Sequence, residues 1–164
     1  MKTKWDCLFA VFELKEARLT DIAKKVGSSP SPVRQTLVKF LKEKIVIREK
    51  GLYKLNKNNK ATRSIFNIID FCRNRGINYN IFLNEEFANA VKIGLGKEEI
   101  RLSDFKSLDY KTTNKYLTHL SRINLLFVIS RRPLKVKFVF DPVFDEVLTL
   151  FKLQKETKKF DYFE

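Results

Sequence analysis

Apolar residues recur at three- and four-residue spacing along much of this chain, and this spacing predicts amphipathic helices separated by short turns. The first helix lies before residue 16, and the second begins at Thr20 as its N-cap and ends at Gly27. The run Ser28–Pro32 predicts a turn, from which Ser31 caps a third helix. The inward face of this third helix consists of Val33, Leu37, Phe40 and Leu41.

Two short apolar segments after the third helix predict a β-hairpin. Ile45–Ile47 and Leu52–Leu55 flank a polar stretch in which Gly51 is available for a turn residue with positive φ. The polar residues 56–60 mark a boundary, and a long helix that ends at Gly76 follows. Three helices and a hairpin therefore form the first predicted module.

The second half of the chain repeats this plan. Arg18–Ile22 reads RLTDI and Arg101–Phe105 reads RLSDF, 83 residues later. Four apolar positions that follow the first pentad recur at a shift of 80 residues as Thr113, Leu117, Leu120 and Leu126. The three missing residues fall in a turn, where deletions are tolerated. The chain thus contains one module twice.

In the second copy, the apolar spacing predicts a helix over residues 84–95, a very short helix from Ser103 through Leu108, and a long helix from about Asp109. We expect Asn124 to adopt a left-handed conformation after that helix. A hairpin with a doubly basic tip follows, and Pro142 opens a last helix. Tyr79–Phe82, before the second copy, reads as a short extended piece.

These elements predict a mostly α protein with small β-hairpins, an α+β fold in four segments. Residues 1–57 form the first module, and residues 58–76 form a connecting helix. Residues 77–153 form the second module with its C-terminal helix, and residues 154–164 form a flexible tail.

Positive charge is concentrated in the two modules. Residues 1–57 carry 14 Lys and Arg against 6 acidic residues, and residues 101–140 carry 9 against 2, out of a net charge of +14 for the chain. A basic surface confined to two modules is the electrostatic footprint of a nucleic-acid partner. No apolar run approaches the length of a membrane span, and no signal peptide is recognised, so we expect a cytoplasmic, nucleoid-associated protein with no membrane partner.

The fragments LTDIAKKVGSSPSPVRQTLVKFLKEKIVI and TTNKYLTHLSRINLLFVI resemble the winged helix-turn-helix superfamily of prokaryotic transcription regulators, similar to the MarR and ArsR groups. The resemblance implies a tandem winged helix-turn-helix in which each long helix reads DNA and each hairpin is a wing. Two features depart from the usual pattern: Lys44 stands where such modules often have Gly, and the helix before the second recognition helix is unusually short.

The candidate DNA-binding residues lie on the outward faces of these helices, at the turns and at the wing tips. In the first module they are Ser29, Ser31, Arg34, Gln35, Lys39, Lys42 and Lys50. In the second module they are Lys111, Thr112, Asn114, Lys115, Arg131 and Arg132.

The sequence does not indicate a catalytic site or a metal-binding site. His119 is the only histidine, Cys7 and Cys72 are isolated, and no phosphate loop or nucleophile motif occurs. We therefore expect no enzyme, no cofactor and no metal site.

The leading hypothesis is a regulator that binds double-stranded DNA, with a possible homodimer through the connecting or the C-terminal helix. Two alternatives stay open. Tandem winged helices also occur as scaffolds for protein assembly on chromosomes or polymerases, and in replication initiators.

Overall fold

The computed structural model describes residues 4–105, 109–157, 162 and 163, and it divides the chain into two compact units, Met1–Ile69 and Asp70–Glu164. Within the described residues the fold is α+β, with helices around two separate three-stranded antiparallel sheets. No helix in this part of the chain is both long enough and apolar enough to cross a membrane.

The first unit has the predicted order of three helices and a hairpin, with a short strand added. Its elements are α1 (Lys4–Leu14), β1 (Glu16–Ala17), α2 (Leu19–Val26), α3 (Pro30–Lys42), β2 (Val46–Glu49), β3 (Leu52–Leu55) and the first part of α4 (Lys60–Asn74). The sheet order is β1-β3-β2. β1 has only two residues, too few for an alternating pattern to reveal it.

Both helix starts predicted for the first unit are wrong. The N-cap of α2 is Arg18, not Thr20, and the Asp21 carboxylate accepts a hydrogen bond from the Arg18 backbone N–H at 3.3 Å. The N-cap of α3 is Ser29, not Ser31, so both prolines lie in the first turn. Proline is accepted there because the first N–H groups of a helix lack partners within the helix.

The predicted end of α2 and the predicted hairpin turn are confirmed. Gly27 has φ +70°, and the bonds from Gly27 N–H to Lys24 O and from Ser28 N–H to Ala23 O form a Schellman motif. The hairpin closes through Lys50 and Gly51, both with positive φ, as a tight two-residue turn requires.

The core of the first unit is formed by α1, α2, α3, β3 and the start of α4. Trp5 and Phe40 are fully buried with ring centroids 5.9 Å apart, and Phe12 meets Phe66 of α4 edge to face at 4.8 Å. The Thr62 hydroxyl of α4 donates to Ile45 O at 3.1 Å. The beginning of the predicted connecting helix therefore belongs to this core.

The second unit repeats the order of the first and adds helices at both ends. Its elements are the rest of α4, α5 (Tyr79–Phe82), α6 (Glu85–Gly94), β4 (Ile100–Arg101), a 3₁₀ turn (Leu102–Asp104), α7 (Tyr110–Arg122), β5 (Leu126–Arg131), β6 (Leu134–Phe138) and α8 (Pro142–Thr157). The sheet order is β4-β6-β5, the same as in the first unit. The C-terminal helix α8 packs on α6.

Three predictions for the second unit need correction. Tyr79–Phe82 is one helical turn capped by Asn78 instead of an extended piece. The short helix after Ser103 is a 3₁₀ turn that ends at Asp104, and residues 106–108 lie outside the described residues.

The third correction concerns the predicted flexible tail at the C-terminal end of the described residues. Tyr162 and Phe163 are buried, and the Phe163 ring meets Phe151 of α8 at 6.2 Å, because aromatic side chains bury large apolar areas. Most apolar residues of α8 and α4, the two helices considered for a dimer interface, are buried within the chain.

The two copies share geometry at the corresponding end of their long helices. Asn124 has the predicted left-handed conformation, φ +59°, and Lys44, 80 residues earlier, has φ +56°. Ile45 N–H donates to Phe40 O and Leu125 N–H donates to Leu120 O, both at 2.9 Å. The lysine at position 44 therefore performs the backbone role usually given to glycine.

Both cysteines are buried free thiols. Burial raises the pKa of Cys7 above its usual value and raises the pKa of Cys72 to about 12. At neutral pH both side chains are protonated core residues.

Candidate nucleic-acid interface

The outward face of α3 is positively charged. Burial of Val33, Leu37 and Phe40 turns most remaining positions of the helix toward solvent, while Thr36 and Leu41 are half-buried. Every residue of the first unit predicted to contact DNA is exposed: Ser29, Ser31, Arg34, Gln35, Lys39, Lys42 and Lys50. Val38 lies among them and is 54% exposed.

A cleft of about 740 Å³ lies between α3, the N-terminal end of α2 and the hairpin β2–β3. Four cationic side chains line it, two of them predicted from sequence (Arg34 and Lys50) and two not (Arg18 and Arg48). The floor and rim include Leu19, Thr20, Val38, Leu41, Gly51 and Tyr53. The other predicted residues of α3 lie outside this cleft.

The cations of the cleft are not neutralised by nearby carboxylates. Among the residues that the structure describes, Arg18, Arg34 and Lys50 form no ion pair, whereas the Lys54 ammonium on β3 is paired with Glu49 and Glu16. The Arg48 guanidinium lies 5.2 Å from the centre of the Tyr53 ring, a cation–π contact that fixes its orientation. Unpaired cations around a concave surface attract an anionic ligand.

Two sequence signals could have identified the missed arginines. Arg18 is the first residue of the repeated pentad, and its place at the start of α2 brings its side chain to the cleft. Arg48 lies two residues after the buried Val46 on β2, opposite Tyr53 of β3. Neither position lies on an outward helix face or at a turn tip, where the candidate residues were predicted.

In the second unit, α7 also exposes polar and basic residues. Lys111, Asn114 and Lys115 are exposed, whereas Thr112 is half-buried. The Thr112 hydroxyl and N–H both donate to the Asp109 carboxylate, at 2.6 and 2.9 Å, and these bonds hold the pKa of Asp109 below its usual value. Thr112 thus completes the N-terminal cap of α7, and its hydroxyl is already engaged.

The charges of the second unit differ from those of the first at equivalent positions. Asn114 replaces Arg34, and Val128 replaces Arg48 at the same place in the hairpin. Arg101, the counterpart of Arg18, is paired with Glu99 at 3.2 Å. The exposed Arg131 and Arg132 remain at the tip of the second hairpin, as predicted.

Among the described residues, no group of carboxylate, thiol or imidazole side chains is large enough to bind a metal ion. His119 is half-buried on α7. Its partial burial and, to a lesser extent, the positive charges of the neighbouring Arg122 and Lys115 lower its pKa.

No protein-family model matches this chain, and no curated protein matches it. Among solved structures, the chain is similar to the DIP2311 protein from Corynebacterium diphtheriae, at 14% sequence identity and a TM-score of 0.29. The match covers 83% of this chain and 26% of that chain, so this chain spans about a quarter of its length. A likeness this distant supports no statement about function.

Proposed function

We propose that this chain is a non-enzymatic, double-stranded DNA-binding protein, a transcription regulator built from two winged helix-turn-helix modules. In this proposal α3 and α7 are the recognition helices, and the hairpins β2–β3 and β5–β6 are the wings. The observation that carries the proposal is the cationic cleft between α3 and the first hairpin, lined by Arg18, Arg34, Arg48 and Lys50.

The arrangement of the cleft favours a duplex over a small anion. Its cations come from three elements: the start of α2, the outer face of α3 and the hairpin. A backbone strand of DNA presents successive phosphates along a line, which suits charges spread over a cleft of this size. Phosphate contacts of this kind position α3 beside the major groove, where base edges are read.

Within the helix, Arg34 and Gln35 are the residues proposed to read bases. Arginine donates two hydrogen bonds to guanine, and glutamine forms a bidentate pair with adenine. Both side chains lie on the exposed face near the start of α3, and Arg34 also borders the cleft. Lys39, Lys42 and the basic tip of the second hairpin would add phosphate contacts without sequence preference.

The test measures salt dependence together with charge removal from the cleft. We expect affinity for a random duplex to fall about a thousandfold between about 50 and 200 mM salt, because bound phosphates release counterions. Replacing Arg18, Arg34 and Arg48 by Gln should weaken binding and reduce the slope of log affinity against log salt by about 1 for each phosphate that the variant no longer neutralises. Fluorescence anisotropy of a labelled duplex measures both quantities.

The matched control removes the same charge elsewhere, by replacing the exposed Lys60, Arg63 and Lys152 with Gln. If net charge alone governs binding, both triple variants lose affinity equally, and the cleft has no special role. A wild-type affinity that hardly responds to salt would contradict DNA binding itself.

A further inference from the structure

Strand β5 is an open edge of the second sheet. The order β4-β6-β5 gives it one strand partner, β6, within the described residues. Three consecutive side chains on it are apolar and exposed: Phe127 at 65%, Val128 at 42% and Ile129 at 52%. Proteins protect sheet edges with charged side chains or a covering element, because an open edge pairs with other chains. Within the part of the chain that the structure describes, these three residues of β5 have neither protection.

The equivalent edge of the first unit is protected. β2 is the edge strand of its sheet, and its exposed side chains are Arg48 and Glu49. Arg48 lies opposite Tyr53 and Val128 lies opposite Val136, each two residues beyond the first pair of its hairpin. The common fold therefore does not require apolar residues at this edge. Their presence on β5 is a property of the second copy alone.

The main chain of β5 offers hydrogen-bonding groups to an added strand. Leu125 O accepts a hydrogen bond from Val139 N–H at 2.9 Å, and antiparallel pairs alternate between bonded and non-bonded types. The pairs Leu126–Phe138 and Val128–Val136 are therefore non-bonded, and the N–H and C=O groups of Leu126 and Val128 point to the open edge. Ile129 is the extra residue of a bulge and lacks a partner on β6.

The surrounding charge selects the partner. Residues 110–140 contain seven Lys and Arg and no acidic residue. Lys135 and Lys137 are paired with Glu99 and Glu98, which leaves five cations outside these ion pairs. A second copy of this chain would bring the same excess of cations to the edge, and like charges oppose association. Arg131 and Arg132 are exposed directly beside the apolar residues. An apolar segment that carries carboxylates matches both features.

We propose that the open edge of β5 binds an extended, acidic and apolar segment of another protein by strand addition. Apolar side chains of the segment contact Phe127 and Ile129, and its carboxylates lie near Arg131 and Arg132. The segment pairs with the outward N–H and C=O groups of Val128. This interaction does not rest on the DNA-binding proposal, but it shares Arg131 and Arg132 with the phosphate contacts proposed for the second hairpin.

The test is a selection of displayed random peptides on the full chain, followed by affinity measurements with the enriched peptides. The decisive variant is Val128→Pro, which removes an outward N–H and leaves the β5–β6 ladder intact, a substitution that edge strands accept. A second variant, Phe127→Lys with Ile129→Lys, places charge on the edge as in β2. Circular dichroism and thermal denaturation of each variant verify that the chain is folded.

We expect enriched peptides in which apolar and acidic residues alternate, and at least a tenfold loss of affinity in both variants. Absence of enrichment, or affinity unchanged by both variants, overturns the proposal. Sedimentation equilibrium that shows self-association abolished by Val128→Pro would overturn it in favour of a second copy. A loss of duplex affinity with peptide affinity unchanged in the folded Val128→Pro chain would overturn it in favour of DNA at this edge.

Discussion

At the scale of single residues, the left-handed position after each long helix shows which backbone conformations the sequence can predict and which it cannot. Asn124 could be predicted there because asparagine tolerates this conformation better than most residues. Lys44 was expected to depart from the glycine usual in the modules that the sequence resembles, yet its backbone conformation is the same as that of Asn124. The position of the residue within the repeat therefore determined its backbone conformation, and the conformational preference of its side chain did not.

Replacing Lys44 with glycine should therefore stabilise the first unit. A non-glycine residue with positive φ costs roughly 1 to 2 kcal/mol, and the added flexibility of glycine in the unfolded chain offsets part of the gain. We expect a net increase of up to about 1 kcal/mol in the free energy of unfolding. Urea denaturation measures it.

Lys44→Ala is the matched control, since alanine removes the charge and keeps the conformational cost. Equal stabilisation by alanine and glycine would show that charge repulsion, instead of backbone strain, is relieved at this position.

At the scale of elements, helix periods could be predicted, and helix starts only in part. The starts of α7 near Asp109 and of α8 at Pro142 are confirmed, whereas those of α2 and α3 are not. The long apolar stripes determined α3, α4 and α7 because their spacing repeats over several turns. Starts depend on single hydrogen bonds, and the pattern could not show that Asp21 and Asp104 accept bonds from Arg18 and Arg101. The repeated pentads encode this cap twice.

Gly94 illustrates an element contact that spacing alone does not show. It is the last residue of α6, and a Cβ there would lie 2.5 Å from Cε2 of Phe138 and 2.9 Å from Cδ1 of Ile100. Glycine is needed at this position because α6 packs closely against the second sheet.

Gly94→Ala should destabilise the second unit by about 1 to 3 kcal/mol through overpacking. In a double-mutant cycle, Phe138→Leu should recover part of this loss, because it removes the ring that the new methyl group meets. Thermal denaturation of the four proteins measures the coupling. Strictly additive effects would exclude the Phe138 contact as the cause.

At the scale of the whole molecule, the repeat and the charge distribution predicted the location of the candidate interface. Arg34 and Lys50 were found because helix faces and turn tips are visible in sequence, but the cleft itself was not. It depends on the approach of three elements distant along the chain, which brings in Arg18 and Arg48. The predicted boundary at residue 57 likewise missed the contacts of α4, since Asn59 and Thr62 both bond to backbone oxygens near the end of α3.

A fragment of residues 1–74 should consequently fold, whereas a fragment of residues 1–57 should be markedly less stable. The shorter fragment lacks the buried Ile65 and the Phe12–Phe66 contact, and it leaves Ile45 O without the Thr62 hydroxyl. Circular dichroism during urea denaturation compares the two fragments. Equal midpoints would mean that the first module ends at the hairpin and that α4 contributes nothing to it.

The burial of both thiols has a practical consequence for chemical labelling. Maleimides react with thiolates, and Cys7 and Cys72 are protonated and inaccessible at neutral pH. The unmodified chain should therefore not react with a maleimide dye. A cysteine introduced at Lys50 or at Arg132 would then carry the only fluorophore. One dye on each hairpin, observed in separate proteins, would report which of the two copies meets a duplex first.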